Sequence, residues 1–305
     1  MKYQKLGNTD LKVSRVALGM MRIAGKSQQE AVEVIKTALD SGINFFDHAD
    51  IYGGGKSEIV FREAMKEINV PRSSYVIQSK CSIRGNVPSY DFSYEYIIES
   101  VDGILERLGT EYIDVLLLHR PDMLWEPSEV NRAFHELYDS GKVKHFGVSN
   151  MNIWQMKYLQ KNLDFKLVAN QLQFSIMHSD LVSSGTYTNM KSDQSMAVGL
   201  IDYTRYKEIT IQAWSPFQYG FFEGSFLDNP KFPELNEKLQ EIAEKYTVGK
   251  EAVAVAWINT HPAMIQTVVG TMTPSRIIES SKGADIILTR AEWYEIYKAA
   301  GNRLP

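Results

Sequence analysis

Three apolar runs of this chain end on titratable side chains. FFDHADIY (45–52) carries Asp47 and Tyr52, YVIQSK (75–80) closes on Lys80, and IDVLLLH (113–119) closes on His119. If the three runs are parallel strands lying side by side, an acid, a phenol, an amine and an imidazole meet at one rim. A buried Lys80 ammonium needs a counter-charge, and Asp47 is the available one. A free phenol has a pKa near ~10, too high for easy proton exchange at neutral pH. An adjacent ammonium favours the phenolate, so Lys80 is expected to lower the Tyr52 value and make it a usable general acid or base. His119 could then orient and polarise a substrate oxygen. The set suits proton delivery to a carbonyl oxygen as it gains negative charge. Taken singly, each residue has a plainer role as a helix cap, a solvated strand end or loop packing. Their joint position at the ends of strands is what points to chemistry.

The elements that must hold these groups are legible along the whole chain. β-rich runs fall at 15–20, 43–48, 75–80, 113–119, 144–149, 167–174, 209–215 and 265–271. Most are continuously apolar, as strands buried on both faces are. Helical patterns lie between them. SQQEAVEVIKTALDSG has a Ser27–Glu30 capping box and a stop at Gly42; further helices open at Ser93 and stop at Gly109, run through PSEVNRAFHELYDSG to Gly141, and open at Thr273–Pro274. About eight strand–helix alternations with no linker predict one (β/α)8 barrel over residues 1–305, an α/β fold of the TIM type. An open doubly wound sheet is the alternative, but ALGMMRIAGKS lacks the glycine fingerprint expected after its first strand. KYQKLGNTDLKVS predicts a hairpin turning at Gly7–Asn8 that plugs the barrel bottom, residues 175–199 read as an extended loop, and 289–300 read as an extra C-terminal helix.

Bulk properties narrow the class. The 305 residues are 44% hydrophobic and 23% charged, enough for one large core. A net charge of −4 gives no electrostatic reason to bind nucleic acid or anionic membrane. The single Cys81 excludes an intrachain disulfide and fits a reducing compartment. With no apolar leader in MKYQKLGNTD and no bilayer-length apolar stretch, the expectation is a cytoplasmic protein without membrane contact. GGGKS (53–57) is not a phosphate loop, because Asp50 stands where that pattern needs its first glycine. Neither a metal-ligand spacing nor a GxSxG elbow is present.

DHADIYGGGKSE, QSK, DVLLLHRPD, GVSN, NQLQFS and the RI-ES of TPSRIIES, in that order over essentially the whole chain, resemble the aldo-keto reductases. The resemblance implies a (β/α)8 barrel that binds NADP(H) without a dinucleotide-binding domain and reduces aldehydes or ketones. Its tetrad falls on Asp47, Tyr52, Lys80 and His119, with Tyr52 as proton donor. Ser149, Asn150 and Gln171 match positions that bond the nicotinamide amide, and Trp214 stands where an aromatic ring stacks on the nicotinamide. Ser215 and Phe217 would border the pyrophosphate. Arg276 matches the arginine that holds the 2′-phosphate, beside a helix N-terminus suited to anions, and Thr271 and Glu279 match further adenosine-side positions. Two departures weaken NADPH preference without abolishing it: Gly270 stands where many relatives have a lysine, and Ser280 where an asparagine is frequent. One lost charged contact costs about 1.5–3 kcal/mol.

For the substrate, Met20, Met21, Ile51, Trp125 and Phe217 are expected to line an apolar, adaptable space, with 218–229 as a flexible wall. No cation is clearly aimed inward, so a strongly anionic substrate is not expected. The expected partner is a small carbonyl compound, and the chain is expected to be a monomer or weak homo-oligomer. Two alternatives stand beside the reductase. Some relatives act as channel subunits, so the barrel could serve as a redox-sensing regulatory subunit. A Schiff-base aldolase on Lys80 is weaker, because Asp47 keeps that amine protonated and unreactive.

Overall fold

The computed structural model describes residues 1–85, 89–187 and 197–305. Eight parallel strands close into a barrel in chain order: Val16–Gly19, Phe45–Asp47, Val76–Cys81, Ile113–Leu118, Val143–Ser149, Leu167–Gln173, Thr210–Trp214 and Gln266–Val269, the last pairing back onto the first. All eight expected runs are therefore strands, and their unbroken apolar character has a simple cause. One face packs into the barrel and the other beneath the surrounding helices.

The helix signals act where they were read. Ser27 and Glu30 form a reciprocal capping box on Gln28–Asp40, and Ser93 caps Tyr94–Leu108, which ends at Gly109 in the left-handed conformation. Helices Ile153–Asn162 and Arg290–Ala299 open with such boxes too, Asn152–Gln155 and Thr289–Glu292. The reading of 175–199 needs correction. Asp180–Thr186 is a helix, while 188–196 lie outside the described residues. Its serines hid it: Ser183 Oγ meets Tyr297 OH at 2.9 Å and Ser179 Oγ bonds Asn302 at 3.1 Å, so tertiary partners replace the apolar stripe that marks most helices.

Strands Tyr3–Lys5 and Lys12–Ser14 form the N-terminal hairpin, which covers the N-terminal ends of the barrel strands. Leu6 and Val13 pack with Ala17, Phe45, Val76, Val115, Leu117 and Val268 in a small apolar cluster of their own. The Gly7 amide donates to Thr210 Oγ1 at 2.7 Å and Asn8 Nδ2 to the Leu167 carbonyl at 3.2 Å. Gly7 sits at φ +54°, and a Cβ there would lie 2.4 Å from the Val168 carbonyl oxygen, which cannot move without breaking the barrel. Gly7→Ala is expected to lower stability by more than the ~1–2 kcal/mol of the left-handed backbone alone, read as a fall in the urea midpoint with the slope unchanged.

Candidate active site

Above this apolar floor the barrel interior turns polar. Gln78 Nε2 donates to Asp47 Oδ1 at 2.6 Å and to Gln212 Oε1 at 2.9 Å, and Gln212 donates to Gln266 at 2.8 Å. Gln171 Nε2 reaches the same Asp47 oxygen at 3.0 Å. These amides come from four strands and fix one carboxylate oxygen, leaving the other free for a cation. Lys80, fully buried, fills that role. Its ammonium donates to Asp47 Oδ2 at 2.8 Å, to the His48 carbonyl at 2.8 Å and to Tyr52 OH at 3.0 Å. All three of its donors are used.

Tyr52 is carried past the strand end by a turn through Gly53, Gly54 and Gly55, all at positive φ. A side chain at Gly53 would meet Ala24 Cβ at 2.6 Å and one at Gly55 would meet the Arg107 Cδ at 2.7 Å, so the run GGG sets the turn that aims the phenol. The imidazole of His119 stands edge-on to the Tyr52 ring, centroids 6.0 Å apart, and its Nδ1 is buried with no partner among the described residues.

Burial changes the expected acid–base picture. The Tyr52 phenol is raised above its ordinary value, because loss of solvent outweighs the opposing Lys80 ammonium. The expected lowering is thus not met, and Tyr52 keeps its proton at neutral pH. Burial also pulls on Lys80, downward, but Asp47 and Tyr52 outweigh it and the amine stays charged. Burial, aided by Lys80 and Arg120, holds His119 well below the ordinary imidazole value, so it is neutral. The centre therefore contains one cation, one anion, a protonated phenol and a neutral imidazole.

A cavity of about 760 Å³ opens over these groups, within the range of small-ligand sites. Asp47, Tyr52, His119, Ser149, Asn150, Gln171, Trp214, Ser215, Phe217, Thr271 and Arg276 line it, as do Met21 and Ile51. Ser149, Asn150 and Trp214 form one hydrogen-bonded group: Asn150 Nδ2 donates to Ser149 Oγ at 2.7 Å, and Trp214 Nε1 to Asn150 Oδ1 at 3.3 Å. Arg276 lies in the first turn of helix Pro274–Lys282 with no carboxylate partner among the described residues. That unpaired cation at a helix N-terminus, with an aromatic plane and a polar strand-end cluster on the same cavity, fits a phosphate-bearing nicotinamide cofactor.

Three expected residues stand elsewhere. Glu279 is engaged by the Gly249 amide and by Lys282 at 2.6 Å, outside the cavity lining. Trp125 packs edge-on between Phe92 and Tyr158, at 5.8 and 5.5 Å. Met20 is fully buried in the main apolar core and does not line the cavity. Two cavity arginines escaped the sequence reading, Arg22 and Arg120. Arg120 directly follows His119, two residues past the end of strand Ile113–Leu118, and that position is the signal the sequence offers. Among the described residues no cluster of His, Cys, Asp or Glu could hold a metal ion, and no helix is long and apolar enough to cross a membrane.

The aldo/keto reductase family model matches residues 15–300. The chain belongs to the aldo/keto reductase family. A 6-dehydroglucose reductase of Agrobacterium fabrum is 33% identical, with 97% of this chain and 98% of that protein covered. The Escherichia coli oxidoreductase YdhF is 33% identical over 94% of this chain and 93% of its own length. A putative voltage-gated potassium channel subunit beta of Schizosaccharomyces pombe is 28% identical, covering 93% and 88%. The thermostable aldo-keto reductase Tm1743 superposes with a TM-score of 0.80 over 98% of this chain and 100% of that one, at 22% identity, a likeness of fold. The family makes this barrel an oxidoreductase.

Asp50, between Asp47 and Tyr52, adds a pH dependence. Burial, with a contribution from Glu58, pushes its carboxyl up to about 7. An unfolded Asp titrates near ~3.9, so between roughly pH 4 and 7 the folded chain binds the extra proton and this group costs stability as pH rises. Asp50→Asn abolishes that cost. Its melting temperature relative to wild type is expected to climb from pH 5 to pH 8, whereas a constant difference would refute the assignment.

Proposed function

We propose that this chain is an NADPH-dependent carbonyl reductase in which Tyr52 delivers the proton. The observation that carries this reading is the single ammonium of Lys80, bonded at once to Asp47 and to the hydroxyl of Tyr52 beneath an open cavity. When bound, NADPH supplies a hydride for the carbonyl carbon. Tyr52 holds the matching proton, its hydroxyl kept in place by Lys80 and neutral by burial. As negative charge grows on the substrate oxygen the proton moves to it, and the phenolate left behind is stabilised by the adjacent ammonium. Lys80 cannot drift, because Asp47 and the His48 carbonyl take its other two protons. His119, neutral, offers a hydrogen bond to the same oxygen and does not compete as an acid. Ser149, Asn150 and Gln171 would bind the nicotinamide amide, Trp214 would stack on its ring, and Ser215, Phe217, Thr271 and Arg276 would follow the phosphates and adenosine. Arg276 is the cation that favours NADPH over NADH.

The likeness to a channel beta subunit supports a second reading, a cofactor-binding regulatory barrel. One variant separates them. Tyr52→Phe is expected to lower kcat on reactive aldehydes by about 10²–10⁴-fold while NADPH affinity stays nearly constant; unchanged turnover in this variant would sink the proton-donor assignment. Arg276→Ala should shrink the rise in melting temperature caused by NADPH more than that caused by NADH, since stabilisation follows affinity for the native state. Equal losses with both cofactors would remove Arg276 from 2′-phosphate recognition.

A further inference from the structure

The cavity contains a cation that the proton-transfer centre does not use. Arg120 lines it, half-buried, directly after His119. Its guanidinium carbon lies 5.8 Å from the centroid of the Trp214 ring and 6.0 Å from that of Phe221. The two rings stand edge to face, 6.1 Å apart at 83°, so the guanidinium is held against an aromatic corner. Among the described residues its guanidinium has neither a carboxylate within salt-bridge range nor a hydrogen-bond acceptor, whereas Arg107 is paired with Glu58 and Arg84 with Asp91. Three carboxylates line the cavity and none pairs with Arg120: Asp47 is bonded to Lys80 and Asp228 to Lys250, and Glu251 makes no ion pair among the described residues. An arginine fixed by aromatic faces with its donor fork unfilled is built to receive a planar anion.

We propose that Arg120 is a substrate-recognition residue and that the preferred substrates are aldehydes or ketones carrying a carboxylate a few bonds from the carbonyl carbon. This deepens the reductase reading and rests on it. Three observations argue for a short spacing. Residues 119 and 120 are neighbours, with Cα atoms about 3.8 Å apart. The positive charge of Arg120 is felt at both Tyr52 and His119. Trp214, which the guanidinium covers, is itself tied to Asn150, whose Nδ2 bonds the His119 carbonyl at 3.3 Å. Anion and carbonyl oxygen would therefore be held on one wall, the first by Arg120 and the second between Tyr52 and His119. The expectation of a cavity without an inward cation is corrected accordingly. That expectation failed because HRPD looks like an ordinary solvated turn until the Trp214 and Phe221 rings are folded around its arginine.

The test is a matched pair, 4-oxobutanoate and butanal, each assayed with NADPH for the wild type, Arg120→Gln and Arg120→Lys. Wild type is expected to favour 4-oxobutanoate in kcat/KM by about 10- to 100-fold, the range of a charged hydrogen bond. Arg120→Gln should erase that ratio through KM, with butanal turnover and NADPH affinity (by fluorescence titration) nearly unchanged. Arg120→Lys should restore part of it, because charge returns without the fork. Butanal reduced as well as 4-oxobutanoate by wild type would overturn the proposal and leave the reductase reading intact. An equal loss on both substrates, or a matching loss of NADPH affinity, would overturn it too, by placing Arg120 in the frame or on the cofactor. No turnover of either compound by NADPH-bound wild type would overturn the reductase reading and this inference together.

Discussion

A fully buried ammonium governs this molecule. Removing one partner of a buried ion pair leaves an uncompensated charge, typically costing about 3–5 kcal/mol, so Lys80 can be tolerated only where every proton finds an acceptor. Asp47, the His48 carbonyl and Tyr52 provide three. Two of these acceptors lie on the neighbouring strand end and the third on the loop after it, so the pairing of Phe45–Asp47 with Val76–Cys81 is also what assembles the centre. Stability and chemistry make the same demand at this point: the Asp47 carboxylate that keeps the amine charged also aims it at the phenol.

The requirement propagates through the barrel. Asp47 has a second oxygen, and buried as it is, that oxygen too must be satisfied. Gln78 and Gln171 do this, Gln212 and Gln266 continue the chain of amides, and Gln266 ends it on the Ser14 carbonyl at 2.8 Å. The polar middle of the barrel is thus a support for one carboxylate. Below it the hairpin residues Leu6 and Val13 seal the apolar end, which keeps solvent from the network and the effective dielectric low.

The same burial decides the protonation states. An ammonium 3.0 Å from a phenol pulls its titration down, and burial pushes it up; here burial is the larger effect. The resting centre consequently holds a protonated phenol beside a charged amine. Arg120 adds a fixed positive potential at one side of this cavity, so the electrostatic character of the site is more cationic than its Met and aromatic lining indicates.

Much of this was written in local sequence. Continuous apolar runs between capped amphipathic stretches specify eight strands, the cap residues Ser27, Ser93 and Thr289 act through neighbours three residues away, and Asp47, Lys80 and His119 stand at strand ends whatever the rest of the chain does. What local pattern does not encode is how deeply a group is buried and what faces it from another strand. That is why the direction of the Tyr52 shift, the glutamine support under Asp47, the helix at 180–186, the departure of Trp125 and Glu279 from the cavity and the unpaired arginine at 120 emerged only in three dimensions. Each depends on solvent exclusion or on a partner tens of residues away, and those are set by barrel closure, which no short segment contains.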